Sequence, residues 1–306
     1  MEIFDFAFSF LWEYDEEFIH LLEEEFQKNR LSTFIITDHN IEEVTELVRT
    51  RKLHFHIYFD RAWDVDDRFE HLGKALHKRK TLFINSYEKV FHAIDKATMH
   101  LELITAGLYV PYSIIIPPHS EREDIFISVS DLARLGRPFI IKPCNTTGGG
   151  VGVVTGAESL QEIFSERVTN SDDKYLLQEK IYPRILDGKR AWFRCFWIFD
   201  EVIPTWWNDV THLYQPLTRR EINEFKLSKL FNITKAIASV SELEFFSTEI
   251  VLSEKDLFVV IDYVNDQCDL RFKSHHKDGV PDEIIRRIIS KFRLFVKAHK
   301  KKNNLS

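Results

Sequence analysis

Cysteine is scarce in this chain of 306 residues: Cys144, Cys195 and Cys268 stand far apart and form no CxxC pair. That spacing excludes a disulfide framework or a zinc knuckle and predicts a reducing, cytoplasmic setting. An excess of positive charge is missing as well. The formal net charge is -7, so no basic nucleic-acid-binding surface is expected. No apolar run reaches the roughly 18 residues of a membrane span, and Met1-Glu2-Ile3-Phe4-Asp5 carries acid where a secretory signal needs positive charge. Neither a membrane nor a nucleic acid is an expected partner. Repeats and low-complexity segments are absent. What remains, 44% hydrophobic and 29% charged residues, describes an ordinary soluble protein with room for two or three units of roughly 100–200 residues.

Along the first 86 residues, short apolar runs alternate with helical periodicity, which predicts a small parallel sheet. The strands are expected at Phe4 to Leu11, Ser32 to Thr37, Leu53 to Phe59 and Thr81 to Ile84. Helices are expected over Asp15 to Asn29, from a cap at Asn40, and over Asp66 to Lys78. A boundary falls near Asn85-Ser86. After it come a helix from Asp95 to Ala106, a strand from Tyr112 to Ile116 and a helix from Ser128 to Leu135. Further on, Ser159 to Phe164 reads as helix and Tyr175 to Ile181 as strand. Ala191 to Ile203 reads as a strand broken at Asp200-Glu201. A long helix is expected within Leu217 to Leu243, interrupted at Asn232. Two strands, Phe245 to Leu252 and Leu257 to Val264, precede an amphipathic helix from Val280 to Lys302.

Four of the 10 glycines fall in one loop, Gly148, Gly149, Gly150 and Gly152, behind the apolar strand Phe139-Ile140-Ile141-Lys142-Pro143. Glycines let backbone N–H groups approach an anion, and Lys142 adds a point charge, so the segment reads as a phosphate grip. A hairpin turn that only needs positive φ would look the same. Arg194 interrupts an apolar strand, Trp192-Phe193-Arg194-Cys195-Phe196-Trp197, where an unpaired guanidinium would be costly; it needs an anion, either a ligand or a core carboxylate. Cys195 faces the other side of that strand and reads as core. Glu249 and the run Val259-Val260-Ile261-Asp262-Tyr263-Val264-Asn265 put oxygen ligands on strands, which suits Mg²⁺. The segment from Trp206 to Tyr214 is read as a loop between strand and helix whose aromatics either line a ligand site or fold inward, and Arg184, Lys189 and Arg190 lie close to it in sequence.

Asp95-Lys96 ahead of Ala106-Gly107-Leu108-Tyr109-Val110-Pro111, the strand and loop from Phe139 to Val153, Leu176-Leu177-Gln178-Glu179, Arg194, and Glu249 with Asp262 and Asn265 follow one another along most of the chain. In this order they resemble the ATP-grasp superfamily, with a look of its D-alanyl-D-alanine ligase, glutathione synthetase and ribosomal-protein glutamate ligase groups. The resemblance implies an α/β and α+β fold of three parts. These are an N-terminal parallel α/β pre-ATP-grasp domain over 1–86, a lid subdomain with the glycine-rich loop over 87–180, and a C-terminal subdomain with the metal site over 181–306. ATP would lie between the last two.

The same resemblance assigns roles. Lys96 and Lys142 would hold the nucleotide phosphates with Gly148, Gly149, Gly150 and Gly152. Gln178 and Glu179 would meet the adenine edge, completed by backbone at Lys180 and Ile181. Arg194 would join Lys142 at the transferred phosphate. Glu249, Asp262 and Asn265 would hold one or two Mg²⁺ ions, with Mn²⁺ as an alternative. The family usually places a glutamate and an asparagine two residues apart, whereas Asp262 and Asn265 are three apart; that puts the second metal in question, with Asp266 or Asp269 as substitutes. Arg271, Trp207 and Asn208 are candidates for the substrate. The implied activity is an ATP-dependent carboxylate–amine or carboxylate–thiol ligase working through an acylphosphate. It would use a small-molecule or peptide carboxylate and an amine acceptor, and a homodimer is compatible. A hydroxyl kinase and a nucleotide-binding protein without turnover are the alternatives.

Overall fold

The computed structural model describes residues 1–145 and 152–304. Gly148, Gly149 and Gly150 therefore lie outside the described residues. The chain opens with β1 (Glu2–Phe10), α1 (Glu16–Lys28), β2 (Thr33–Ile36), α2 (Ile41–Arg49), β3 (Leu53–Arg61), α3 (Asp67–His77) and β4 (Leu82–Ile84). The four strands form a parallel sheet in the order β2-β1-β3-β4. Parallel strands are covered on both faces, which is why β1 and β3 are apolar almost throughout. Phe6 and Phe8 pack toward α1, while Ala7, Phe55 and Tyr58 pack toward α2 and α3. Asp66 caps α3 by accepting from the Arg68 N–H. Asn40 precedes α2 without capping it: its side chain accepts instead from the Thr37 N–H at 2.9 Å and shapes the approach.

Next come α4 (Tyr87–Ile94), α5 (Lys96–Thr105), β5 (Ser113–Ile116), α6 (Val129–Leu135), β6 (Phe139–Pro143), β7 (Val154–Ala157), α7 (Leu160–Thr169) and β8 (Tyr175–Glu179). Sequence reading missed α4, which abuts α5 at an extended Asp95. An antiparallel sheet in the order β5-β8-β6-β7 buries Phe139, Ile141 and Leu177 against Leu135 of α6 and Ile163 of α7. Its alternate residues, Ile140, Lys142 and Gln178, belong to the opposite face.

The remaining elements are β9 (Ile185–Leu186), β10 (Lys189–Arg190), β11 (Trp192–Ile198), β12 (Glu201–Trp207), β13 (Tyr214–Pro216), α8 (Arg219–Glu224), α9 (Lys229–Ser241), β14 (Phe245–Leu252), β15 (Phe258–Asn265) and α10 (Asp282–Asn304). Five of the strands make an antiparallel sheet, β13-β12-β11-β14-β15. The expected single helix divides at Phe225 to Ser228, where Lys226 adopts φ 54°, and Asn232 lies inside α9. Trp206 and Trp207 end a strand instead of forming a loop.

α10 binds the first and third sheets into one core. Phe292 meets the rings of Phe6, Phe59, Phe199 and Phe245 at centroid distances of 6.5, 5.0, 5.1 and 5.3 Å. The boundary near Asn85 is likewise clamped: its side chain accepts from the Glu244 and Phe245 N–H groups and donates to the Phe245 carbonyl at 2.7 Å. Among the described residues, no helix is long and apolar enough to cross a membrane.

Candidate active site

Antiparallel register builds the centre of the site. Arg194 on β11 lies opposite Glu249 on β14, and Glu249 lies opposite Asp262 on β15. Directly opposed residues share a face, so these three form one charged row across the sheet. Glu249 accepts from the Arg194 guanidinium and from Trp192 Nε1 at 2.8 Å. Arg194 Nη1 donates to the Tyr214 hydroxyl at 3.1 Å, and the guanidinium lies 4.2 Å above the Trp207 ring. Burial works against the arginine's charge, but Glu249 overcomes it and holds Arg194 above its ordinary range. Arg194 Nε is buried and has no hydrogen-bond partner among the described residues.

The spacing of Asp262 and Asn265 has a structural answer. Ile250 pairs with Val260, Glu249 with Asp262, and Ser247 with Asn265, so β15 carries one extra residue in each interval. These are β-bulges, which re-aim side chains at the cost of ladder hydrogen bonds. In a regular strand, residues three apart point to opposite faces; here the bulge returns Asn265 to the face of Ser247, Glu249 and Asp262. Ile261 is the unpaired residue of one interval. Its carbonyl accepts from Lys142 Nζ at 3.1 Å.

That contact ties the second sheet to the third. Burial pushes the Lys142 ammonium below its ordinary range; Asp262 and Glu249 oppose the shift, and Lys96 adds to it. All four groups are thus within electrostatic reach of one another. Lys96 occupies the first turn of α5, where its N–H donates to the Cys144 carbonyl at 3.1 Å, just before the glycine loop. Gly152 closes the described part of that loop at φ 72°, and a Cβ there would stand 3.3 Å from the Pro143 ring.

Other candidates are placed differently from their expected roles. Gln178 is fully buried, and its amide donates to Ser113 Oγ at 3.0 Å and to the Tyr263 hydroxyl at 2.9 Å. Glu179 Oε1 accepts from the Tyr112 N–H at 2.8 Å. The Gln178 amide hydrogens and one oxygen of Glu179 are therefore engaged within the fold. Beside them, Ile181, Leu257 and Trp192 pack against buried Val251, Val259 and Ile261 in an apolar cluster. Lys180 reaches the Thr155 carbonyl with its ammonium at 3.4 Å. Arg271 is clamped by Asp269 and Asp278, each at 2.9 Å, so its fork is filled from within its own segment. Asn208 accepts from the Val210 and Thr211 N–H groups as a turn former, while Trp207 stacks under Arg194. Asp266 is buried against Trp63 Nε1 at 3.2 Å, and Asp269 is spent on Arg271; neither joins the row. Arg190 and Lys189 pair with Asp209 and Glu221. Cys195 is buried on the opposite face, its thiol pushed up to about 12 by burial.

Sequence reading passed over Trp192, although it lies two residues before Arg194 and so shares its face. Tyr214 entered only as the end of the segment from Trp206; its contact with Arg194 had no signal, because it arrives from an edge strand.

The three-sheet arrangement matches known structures over nearly its full length. D-alanine–D-alanine ligase from Bacillus anthracis, complexed with ATP, superposes with a TM-score of 0.63 at 14% identity, covering 97% of this chain and 98% of the ligase. The RimK-domain ATP-grasp protein from Sphaerobacter thermophilus gives 0.62 at 17% identity, covering 94% and 98%. The ATP-grasp ligase PsnB, complexed with a minimal precursor, Mg and ADP, gives 0.57 at 14%, covering 94% and 98%. The chain has the ATP-grasp fold. Identities this low establish the fold alone. No family profile matches the sequence, and no curated protein matches it in sequence. In this fold the charged row, Lys142 and the apolar cluster lie where the second sheet meets the third. Among the described residues, no group of three or more histidine, cysteine or acidic side chains could hold a metal by itself.

Proposed function

We propose that this chain is an ATP-dependent ligase that activates a small-molecule or peptide carboxylate as an acylphosphate, with ADP as the nucleotide product. An amine or thiol then displaces phosphate. The observation that carries this reading is the meeting of Lys142, Arg194, Glu249 and Asp262 from four strands, beside Lys96 and an apolar cluster. Ammonium groups at Lys96 and Lys142 are suited to triphosphate oxygens, and the partly buried Ile181 and Leu257 of that cluster are suited to contact with a purine ring. Among the described residues, the Lys180 carbonyl and the Ile181 N–H make no backbone hydrogen bond, which leaves one acceptor and one donor for the base edge.

The donor set fits a hard cation: Glu249 and Asp262 stand in register, and the bulge adds Asn265 to their face. Mg²⁺ held there would neutralise phosphate charge and orient the terminal phosphoryl group. Arg194 is held by Glu249 and Tyr214 and stacked on Trp207, so its guanidinium is pre-positioned at the end of the row. No side-chain nucleophile is needed, in keeping with the buried Cys195.

Hydroxylamine trapping tests the reading. With a panel of carboxylates, Mg²⁺ and ATP, a ligase yields a hydroxamate in step with ADP. ADP formed on a hydroxyl substrate with no hydroxamate would mean a kinase. Nucleotide binding without ADP over the whole panel would mean a protein without turnover.

A further inference from the structure

A second site lies across β8 from Lys142. An open cavity of about 570 Å³ is bounded by α5, the connecting segment 107–112, β5 and α6. Half of its lining residues are apolar, Leu101, Ile104, Leu108, Val110, Pro111 and Ile115; Glu179 at the end of β8 also borders it, and its size is that of a small-molecule site. One polar group in its wall is left open. His100 is 4% exposed, and its Nδ1 lies 2.6 Å from the Tyr263 hydroxyl. That hydroxyl accepts from Gln178 Nε2 at 2.9 Å and has its own proton to give to Nδ1, since Ser113 already donates to the Pro111 carbonyl. In that arrangement the imidazole proton sits on Nε2, for which no described residue is a partner. Burial holds His100 down to about 4, which keeps the ring neutral. Gln178 spends its other N–H on Ser113 Oγ at 3.0 Å, and Ser113 donates to the Pro111 carbonyl at 3.0 Å. In that arrangement the chain of hydrogen bonds ends in one unused donor on His100, a residue of the cavity wall.

Also among the lining residues is Arg134, its guanidinium 4.0 Å above the Tyr112 ring and, among the described residues, within salt-bridge distance of no carboxylate. The two acids nearby are engaged: Glu179 by the Tyr112 N–H, Asp131 by the Tyr112 hydroxyl and Ser128. We propose that this cavity binds a small, largely apolar carboxylic acid, its tail against Leu101 and Ile104 and its carboxylate between His100 Nε2 and Arg134. The site is separate from the nucleotide reading and does not depend on it. β8 and the Gln178–Tyr263 contact stand between the two.

Titration calorimetry of the full chain with 2-naphthoate tests the proposal. Saturable binding to one site is expected, with Kd below about 1 mM. Ile104→Glu at the half-exposed rim should weaken it by at least about tenfold with the thermal midpoint unchanged, and Arg134→Gln by about fivefold. A saturating non-hydrolysable ATP analogue should leave it in place. No saturable binding to folded protein, binding indifferent to both substitutions, or displacement by the analogue would overturn the site. Equal affinity for 2-naphthamide would overturn the assigned ligand class.

Discussion

Two of the chain's arginine–carboxylate pairs, Arg61–Asp15 and Arg194–Glu249, are built to different ends. Arg61, at the close of β3, holds Asp15 with two hydrogen bonds of 2.7 and 2.8 Å and also donates to the Cys268 carbonyl, with 1% and 2% of the two side chains exposed. Arg194 and Glu249 are 13% exposed each and border Lys142, Asp262, Tyr214 and Trp207. The first pair is closed and stitches the parallel sheet to the segment after β15. The second opens on groups of both signs. A sealed ion pair fixes the packing of its surroundings, whereas a pair set among unmatched charges is poised for a charged ligand.

Removing one partner from the sealed pair leaves a buried charge. Arg61→Ala should therefore cost about 3–5 kcal/mol in urea unfolding while the folded fraction keeps its ADP-forming rate. Lost activity without lost stability would collapse the contrast. On the open side, Lys142→Ala should lower ADP formation by about a thousandfold, near 4 kcal/mol, with the unfolding midpoint preserved.

A group outside both pairs sharpens the comparison through pH. The folded pKa of His100, about 4, lies below its ordinary 6.5, so the unfolded chain takes up the proton first as pH falls. Its contribution is fully present above pH 6.5 and is lost toward pH 4, amounting to about 2 kcal/mol between pH 6.5 and 5. Thermal melts of His100→Gln should lack that share of the acid loss; an unchanged slope would discount it. The smallest effect is expected at Trp192→Phe, which removes one hydrogen bond to Glu249. A cost of about 1.5 kcal/mol should appear in the KM for Mg²⁺·ATP more than in stability, and equal shifts in both would make Trp192 a packing residue only.

Much of the framework was legible from local signals. The parallel sheet, the lysine strand before the glycine loop and the two strands carrying Glu249 and Asp262 all stand near their expected positions. Hydrophobic periodicity reports burial, and burial is what sheets and helices share out. Legibility failed where two elements touch without a break in pattern. Helix α4 runs almost into α5, and the interruption of the α8–α9 segment depends on a left-handed Lys226 that no glycine or proline announces. At the site, Gln178 read as a ligand group because it follows an apolar run. Only Tyr263, 85 residues on, shows where its amide is spent. Arg271 looked like an anion holder until Asp269 and Asp278 closed on it.

The order of elements, the apolar strands with their charged interruptions and the glycine cluster were determined by the sequence itself, since each rests on neighbours within a few positions. Which charges meet was decided by tertiary structure. Arg194 finds Glu249 through strand register, Asn265 reaches the face of Asp262 through a bulge, and Lys142 takes the carbonyl that the bulge releases. Pairing of this kind joins residues tens to more than a hundred positions apart. Their energies depend on distance and burial in the folded chain, and no local pattern encodes either.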